Sequence, residues 1–184
     1  MKKGTPDPAL SGKTQHLFSL LEQILDSNEK TILFTQYREM GVLLVKMIQT
    51  AFGLEAPFLH GGVSRKERDR MVTDFQENRT TRLLLLSLKA GGTGLNLTAA
   101  SNVIHFDLWW NPAVETQATD RAYRIGQEQR VLVHRFITKG TFEEKIDTLI
   151  QRKKELADLT VAGGEKWIGA LSDQELHELV GLSD

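Results

Sequence analysis

Two hydrophobic periods alternate along the chain. In "TQHLFSLLEQILDS" (14–27), apolar residues at 17, 20, 21, 24 and 25 share one helical face. "TILFT" (31–35) reads as a strand, and 38–52 as a second amphipathic helix. "APFLH" (56–60) predicts a short strand, followed by Ser64 as a cap and a charged helix to about Glu77. "RLLLLS" (82–87) is apolar without alternation, the mark of a strand buried on both faces of a parallel sheet. "NVIHFD" (102–107) and "VLVHRFI" (131–137) add two strands, and 142–158 a long helix capped by Thr141 with Glu144 three residues on. A Gly163-Gly164 break precedes a short acidic helix near 173–181.

Strands alternating with helices through short connections imply an α/β fold, a parallel sheet with right-handed crossovers. The pattern divides into a flexible lead-in with two prolines (1–12), a lobe (13–140) and a helical extension (141–184). Ligands bind such sheets at the carboxyl ends of the strands. Three polar or glycine-rich stretches follow strands here: "TQYRE", "HGGVSRKER" and "KAGGTGLNL".

Composition narrows the picture modestly. A formal net charge of −1 excludes a wholly basic coat but allows a local one. Residues 60–90 hold seven Lys/Arg against four Asp/Glu, whereas 165–184 hold five acids and one lysine. With no cysteine, and histidines (16, 60, 105, 134, 177) off metal-ligand spacing, no metal site is expected. The longest apolar run, Leu83–Leu86, is far too short to span a bilayer, so a cytoplasmic protein without membrane contact is expected.

The candidate chemistry lies in "QATDRAYRIGQ" (117–127). On a helix, Gln117, Arg121 and Arg124 would share one stripe, and two guanidinium forks suit phosphate or carboxylate. The obvious partner for a phosphate is missing. "SGKT" (11–14) resembles the end of a phosphate-cradling loop, but its first glycine would fall at Asp7 and prolines spoil the preceding strand. "GGTGLN" lacks the lysine of such a loop, and no Asp-Glu dipeptide occurs.

In order and spacing, "KTILFTQY" (30–37), "FLHGGVSRKERDRMVTDF" (58–75), "LLLLSLKAGGTGLNLTAASNVIHFDLWWNPA" (83–113) and "QATDRAYRIGQ" resemble the C-terminal RecA-like lobe of SWI/SNF-family, superfamily-two ATPases. The resemblance covers about 13–158, and the tail looks like bacterial members, which would make the protein nucleoid-associated. It implies half an active site. An N-terminal lobe on the same parent chain would bring the phosphate loop and the carboxylates for ATP and Mg²⁺, and this lobe the arginine fingers Arg121 and Arg124. Gln117, Gly92 and Gly94 would border the nucleotide. Thr35, Gln36, Tyr37, Gly62, Ser64, Arg65, Ser87 and Lys89 match segments that touch double-stranded DNA.

The parent is thus expected to be a DNA-dependent ATPase that translocates on duplex, and the isolated lobe to be inactive. The alternatives are a non-catalytic DNA- or protein-binding regulatory lobe, or an unrelated stand-alone α/β enzyme. Tyr123 stands where many members have histidine, and Trp109 is an added tryptophan, read with Trp110 as core or lobe-interface. His60 reads as a strand-end hydrogen-bonder, and of Arg65, Lys66, Arg68 and Arg70 at most two should reach DNA.

Overall fold

A computed structural model describes residues 9, 11–87, 95–109, 111–123 and 130–159. The chain divides into two compact units, Met1–Phe136 and Ile137–Asp184.

The first unit is built on a five-stranded, all-parallel sheet. Its strands are β1 (Thr31–Thr35), β2 (Phe58–Leu59), β3 (Leu83–Ser87), β4 (Asn102–His105) and β5 (Leu132–Arg135), in the order β2-β3-β1-β4-β5. Four helices accompany them: α1 (Gly12–Asp26), α2 (Arg38–Phe52), α3 (Arg65–Glu77) and α4 (Pro112–Thr119). The sheet expected between 56 and 60 shrinks to two residues, because Pro57 has no N–H to give; its carbonyl still accepts from Leu85 N at 2.9 Å. The "SGKT" stretch is the cap and first turn of α1, with Thr14 Oγ1 donating to Ser11 O at 2.8 Å.

Every residue of β1, β3 and β4 is buried, and alternate side chains feed two separate cores. Leu33, Leu83, Leu85 and Ile104 join Leu17, Leu21 and Ile24 of α1 and Leu44 and Ile48 of α2. Ile32, Phe34, Leu84, Leu86 and Val103 join Phe75 of α3, Leu97, Ala100, and Ala118 and Ala122 from the α4 region. The continuous leucine run is the sequence image of that double burial. On the first face α2 comes unusually close: a Cβ on Gly41 would lie 2.2 Å from the Phe58 ring. The helix ends on Gly53 at φ 62, the left-handed cap that glycine adopts without strain.

In the second unit, α5 runs Phe142–Leu159. Its cap differs from the expected reciprocal box. Thr141 Oγ1 donates to Thr138 O at 2.6 Å, and the Glu144 carboxylate takes the N–H of Gly140 at 2.8 Å. The acidic helix expected near 173–181 lies outside the described residues.

Candidate functional site

Parallel pairing puts all strand ends on one rim, so segments distant in sequence emerge side by side. Thr35 is in register with Ser87, and Phe34 with both Leu86 and His105. The "TQY" segment leaves β1 there and is fastened by Asp107, just beyond β4. Asp107 Oδ2 accepts from Thr35 Oγ1 at 2.5 Å and from Gln36 N at 3.0 Å, while the Gln36 amide donates to Leu108 O. Thr35 Oγ1 also accepts from Tyr37 N at 3.3 Å. Thr35 and Ser87 are buried, and the Thr35 hydroxyl braces the segment from beneath through Asp107 and Tyr37 N. Gln36 is half-buried, and Tyr37, at the cap of α2, is 57% exposed.

On the other side of β3, "HGGVSR" leaves β2. His60 Nδ1 accepts from Gly62 N at 3.1 Å, the strand-end role expected of it, and its ring sits 3.1 Å from where a Gly62 Cβ would be. Ser64 caps α3 by accepting from Glu67 N at 3.3 Å, leaving Arg65 and Lys66 exposed on the first turn. The free N–H groups and dipole of that turn add a partial positive charge to the two cations.

Helix α4 enters through Asn111, whose Oδ1 accepts from Ala113 N at 2.9 Å, with Pro112 at its first position. Two polar ties hold it. Glu115, buried, accepts from Trp109 N at 2.8 Å and pairs with Arg135 Nε of β5 at 2.8 Å. Thr119 Oγ1 lies 3.0 Å from His105 Nε2. The His105 ring stacks on Phe34 at 5.3 Å and its Nδ1 has no hydrogen-bond partner. Burial, aided by the charge of Arg135, lowers its pKa from 6.5 to about 4, so the ring is neutral near pH 7.

The expected stripe needs a correction here. α4 stops at Thr119, and Arg121 lies in the turns beyond it. Past Thr119 the backbone tightens, with Arg121 N and Ala122 N bonding the carbonyls three residues back, Ala118 O at 3.3 Å and Thr119 O at 3.0 Å, and the Arg121 carbonyl accepts from Leu97 N at 3.0 Å. Gln117 is exposed and Arg121 is only 8% exposed, so they do not share one displayed face. Arg124, Gly92, Gly94 and Lys89 lie outside the described residues, as does Trp110. Trp109 packs half-buried against the second core, a core role as expected. Among the described residues no three His, Asp or Glu side chains converge as a metal site, and no helix is long and apolar enough to cross a membrane.

Sequence reasoning passed over Asp107, Glu115 and His105. Asp107 had a usable signal, an acid ending a strand at the binding rim. Glu115 and His105 had none, since their partners lie 20 and 14 residues away.

Known proteins share this arrangement. The family model of the helicase conserved C-terminal domain matches residues 13–126. YwqA of Bacillus subtilis (strain 168), provisionally named an ATP-dependent helicase/translocase, is 53% identical over 173 residues, covering 94% of this chain and 18% of that protein. DNA repair protein RAD5A of Arabidopsis thaliana is 40% identical over 168 residues, covering 91% of this chain and 15% of that one. The chain therefore spans less than a fifth of either relative. The Sulfolobus solfataricus SWI2/SNF2 ATPase C-terminal domain superposes with a TM-score of 0.75 at 40% identity, covering 100% of this chain and 75% of that one. The ATPase core from the same organism in complex with dsDNA gives 0.79 at 42% identity, over 100% and 38% of the two chains. With its parallel RecA-like sheet and ordered rim segments, the chain belongs to the helicase conserved C-terminal domain family, as a C-terminal lobe of the SWI2/SNF2 type.

Proposed function

We propose that this lobe is one side of an ATP-driven motor on double-stranded DNA, working against an N-terminal lobe of the same parent chain. The observation that carries the reading is the rim itself. Gln36, Tyr37, Gly62, Ser64 and Arg65 follow two different strand ends on one edge of a parallel sheet, and Tyr37, Gly62, Ser64, Arg65 and the neighbouring Lys66 are exposed there. Such a surface suits the phosphates of a nucleic-acid strand and reads little sequence. The kinship with a dsDNA-bound ATPase core supports the same partner. Lys89 is assigned a phosphate contact in this reading, and Thr35 and Ser87 are assigned to the same strand-end site.

ATP, the substrate of the complete motor, supplies the phosphoryl group whose transfer gathers charge on its equatorial oxygens. Arg121 and Arg124 serve as the guanidinium donors that stabilise that charge, with Gln117, Gly92 and Gly94 at the cleft border. Arg121 is nearly buried, so its contribution requires a side-chain shift as the lobes close. Magnesium is assigned to the other lobe, since the described residues here offer it no converging ligands. The lobe by itself is accordingly inactive, and the protein acts in the cytoplasm, on the nucleoid of a bacterial cell.

The test is DNA-stimulated ATP hydrolysis by the full-length parent. Arg121→Ala and Arg124→Ala are each expected to lower turnover by about 10³-fold. Near-normal turnover in both variants would overturn the finger assignment, and a full-length wild type that hydrolyses nothing would favour a regulatory lobe.

A further inference from the structure

Immediately after the glycine-rich loop, residues 95–100 form a short arm gripped from both sides. Leu97 is wholly buried in the core that also holds Phe75 of α3 and Ala118 and Ala122 of the α4 region. Its N–H donates to the Arg121 carbonyl at 3.0 Å. The next two residues are held by one side chain of α3. Gln76 Oε1 accepts from Ala99 N at 2.8 Å, and Gln76 Nε2 donates to Thr98 Oγ1 at 3.2 Å. Ala100 N closes back onto Leu97 O at 3.1 Å, so the arm is a closed turn.

Gln76 is itself held. Lys30 Nζ donates to the carbonyls of Phe75 and, at 2.9 Å, of Asn78, across the carboxyl end of α3. That end is thus tied to the start of β1, while the opposite end of the same helix carries Ser64 and Arg65 at the rim. From Arg65 to Gln76 the helix rises about 1.5 Å per residue as a stiff rod, and Gln76 joins it to a turn that touches the arginine segment.

We propose that Gln76 is a positioning residue: it keeps the Thr98–Ala99 turn, and through Leu97 N the Arg121 carbonyl, in fixed register with α3, whose amino end meets duplex. This rests on the motor reading above. It makes DNA binding and arginine placement a coupled pair of sites, joined by a contiguous hydrogen-bonded path.

The experiment compares full-length wild type, Gln76→Leu and Gln76→Glu, measuring ATP turnover with and without saturating duplex together with duplex affinity. Leucine removes both bonds. Glutamate keeps them, because its carboxylate accepts from the Ala99 N–H and from the Thr98 hydroxyl. Gln76→Leu is expected to keep its DNA-free turnover and its duplex affinity while the stimulation ratio falls about 5-fold or more. Gln76→Glu is expected to recover most of that ratio. An unchanged ratio in Gln76→Leu, an equal fall in the DNA-free rate, or no recovery in Gln76→Glu would each overturn the coupling. A wild type without DNA stimulation would overturn the motor reading and this inference with it, which separates the two failures.

Discussion

The two faces of the sheet both have apolar centres and differ in where their polar ties lead. On the face of α1 and α2, Leu17, Leu21, Leu33, Leu44, Ile48 and Leu85 are all 0% exposed, and the ties hold helix ends: Arg82 Nη1 donates to Leu25 O of α1 at 2.7 Å, and Tyr37 N at the head of α2 donates to Thr35 Oγ1 at 3.3 Å. On the opposite face polar contacts pin α3 and α4: Lys30 and Gln76 on α3, Thr119 and Glu115 on α4. A hydrogen bond adds a directional constraint to the close packing that both faces share. The segments that would meet DNA through α3 and nucleotide through Arg121 are on the pinned face. The bonds that lead from α3 through the 95–100 turn to Arg121 all lie on this second face.

The contrast can be broken first where it should cost most. Leu21→Ala on the face of α1 and α2 is expected to lower stability by about 2–5 kcal/mol, read from urea unfolding of the lobe. The duplex-stimulation ratio of the full-length protein should stay unchanged. A change in that ratio with little loss of stability would erase the distinction.

Acid probes the pinned face. His105 is neutral when folded because its pKa is about 4, against 6.5 when unfolded, so the unfolded chain binds the extra proton first. The contribution is complete above pH 6.5 and is lost as pH falls from there to about 4, by about 3 kcal/mol if the shift is fully expressed. His105→Gln should flatten the fall of thermal midpoint across that window. An identical slope in wild type and variant would remove His105 as its cause.

The smallest expected effect sharpens the comparison. Glu115→Ala deletes the acceptor of Trp109 N and Arg135 Nε, and is expected to cost about 1–3 kcal/mol. Unlike Leu21→Ala, it should also depress turnover of the full-length protein, because α4 leads directly into Arg121. Turnover per folded molecule equal to wild type would separate α4 from the chemistry.

The same division explains what could be read in advance. The face of α1 and α2 was legible almost residue by residue, since Leu17, Leu21 and Ile24 recur at helical spacing and 38–52 matched α2 to the residue. The segments on the rim were legible because parallel strands end together. The pins were not. Gln76 to Ala99 spans 23 residues, Asp107 to Gln36 spans 71, and nothing in a period of two or 3.6 marks either pair. The helical stripe misled for a related reason: spacing foresees where a regular helix would present Arg121, but cannot foresee that α4 stops at Thr119 and that the Arg121 carbonyl meets Leu97 N from 24 residues away.

The contact between Gly41 and Phe58 carries a consequence for how relatives of this lobe can diverge. With 2.2 Å between the ring and a would-be methyl, neither position is free to drift alone. A lineage that acquires alanine at 41 must shrink the aromatic at 58, swing its half-buried ring aside, or let α2 ride outward. The two sites should therefore covary as a small–large couple, and an exchange such as Gly41→Ala with Phe58→Leu should be better tolerated than Gly41→Ala by itself.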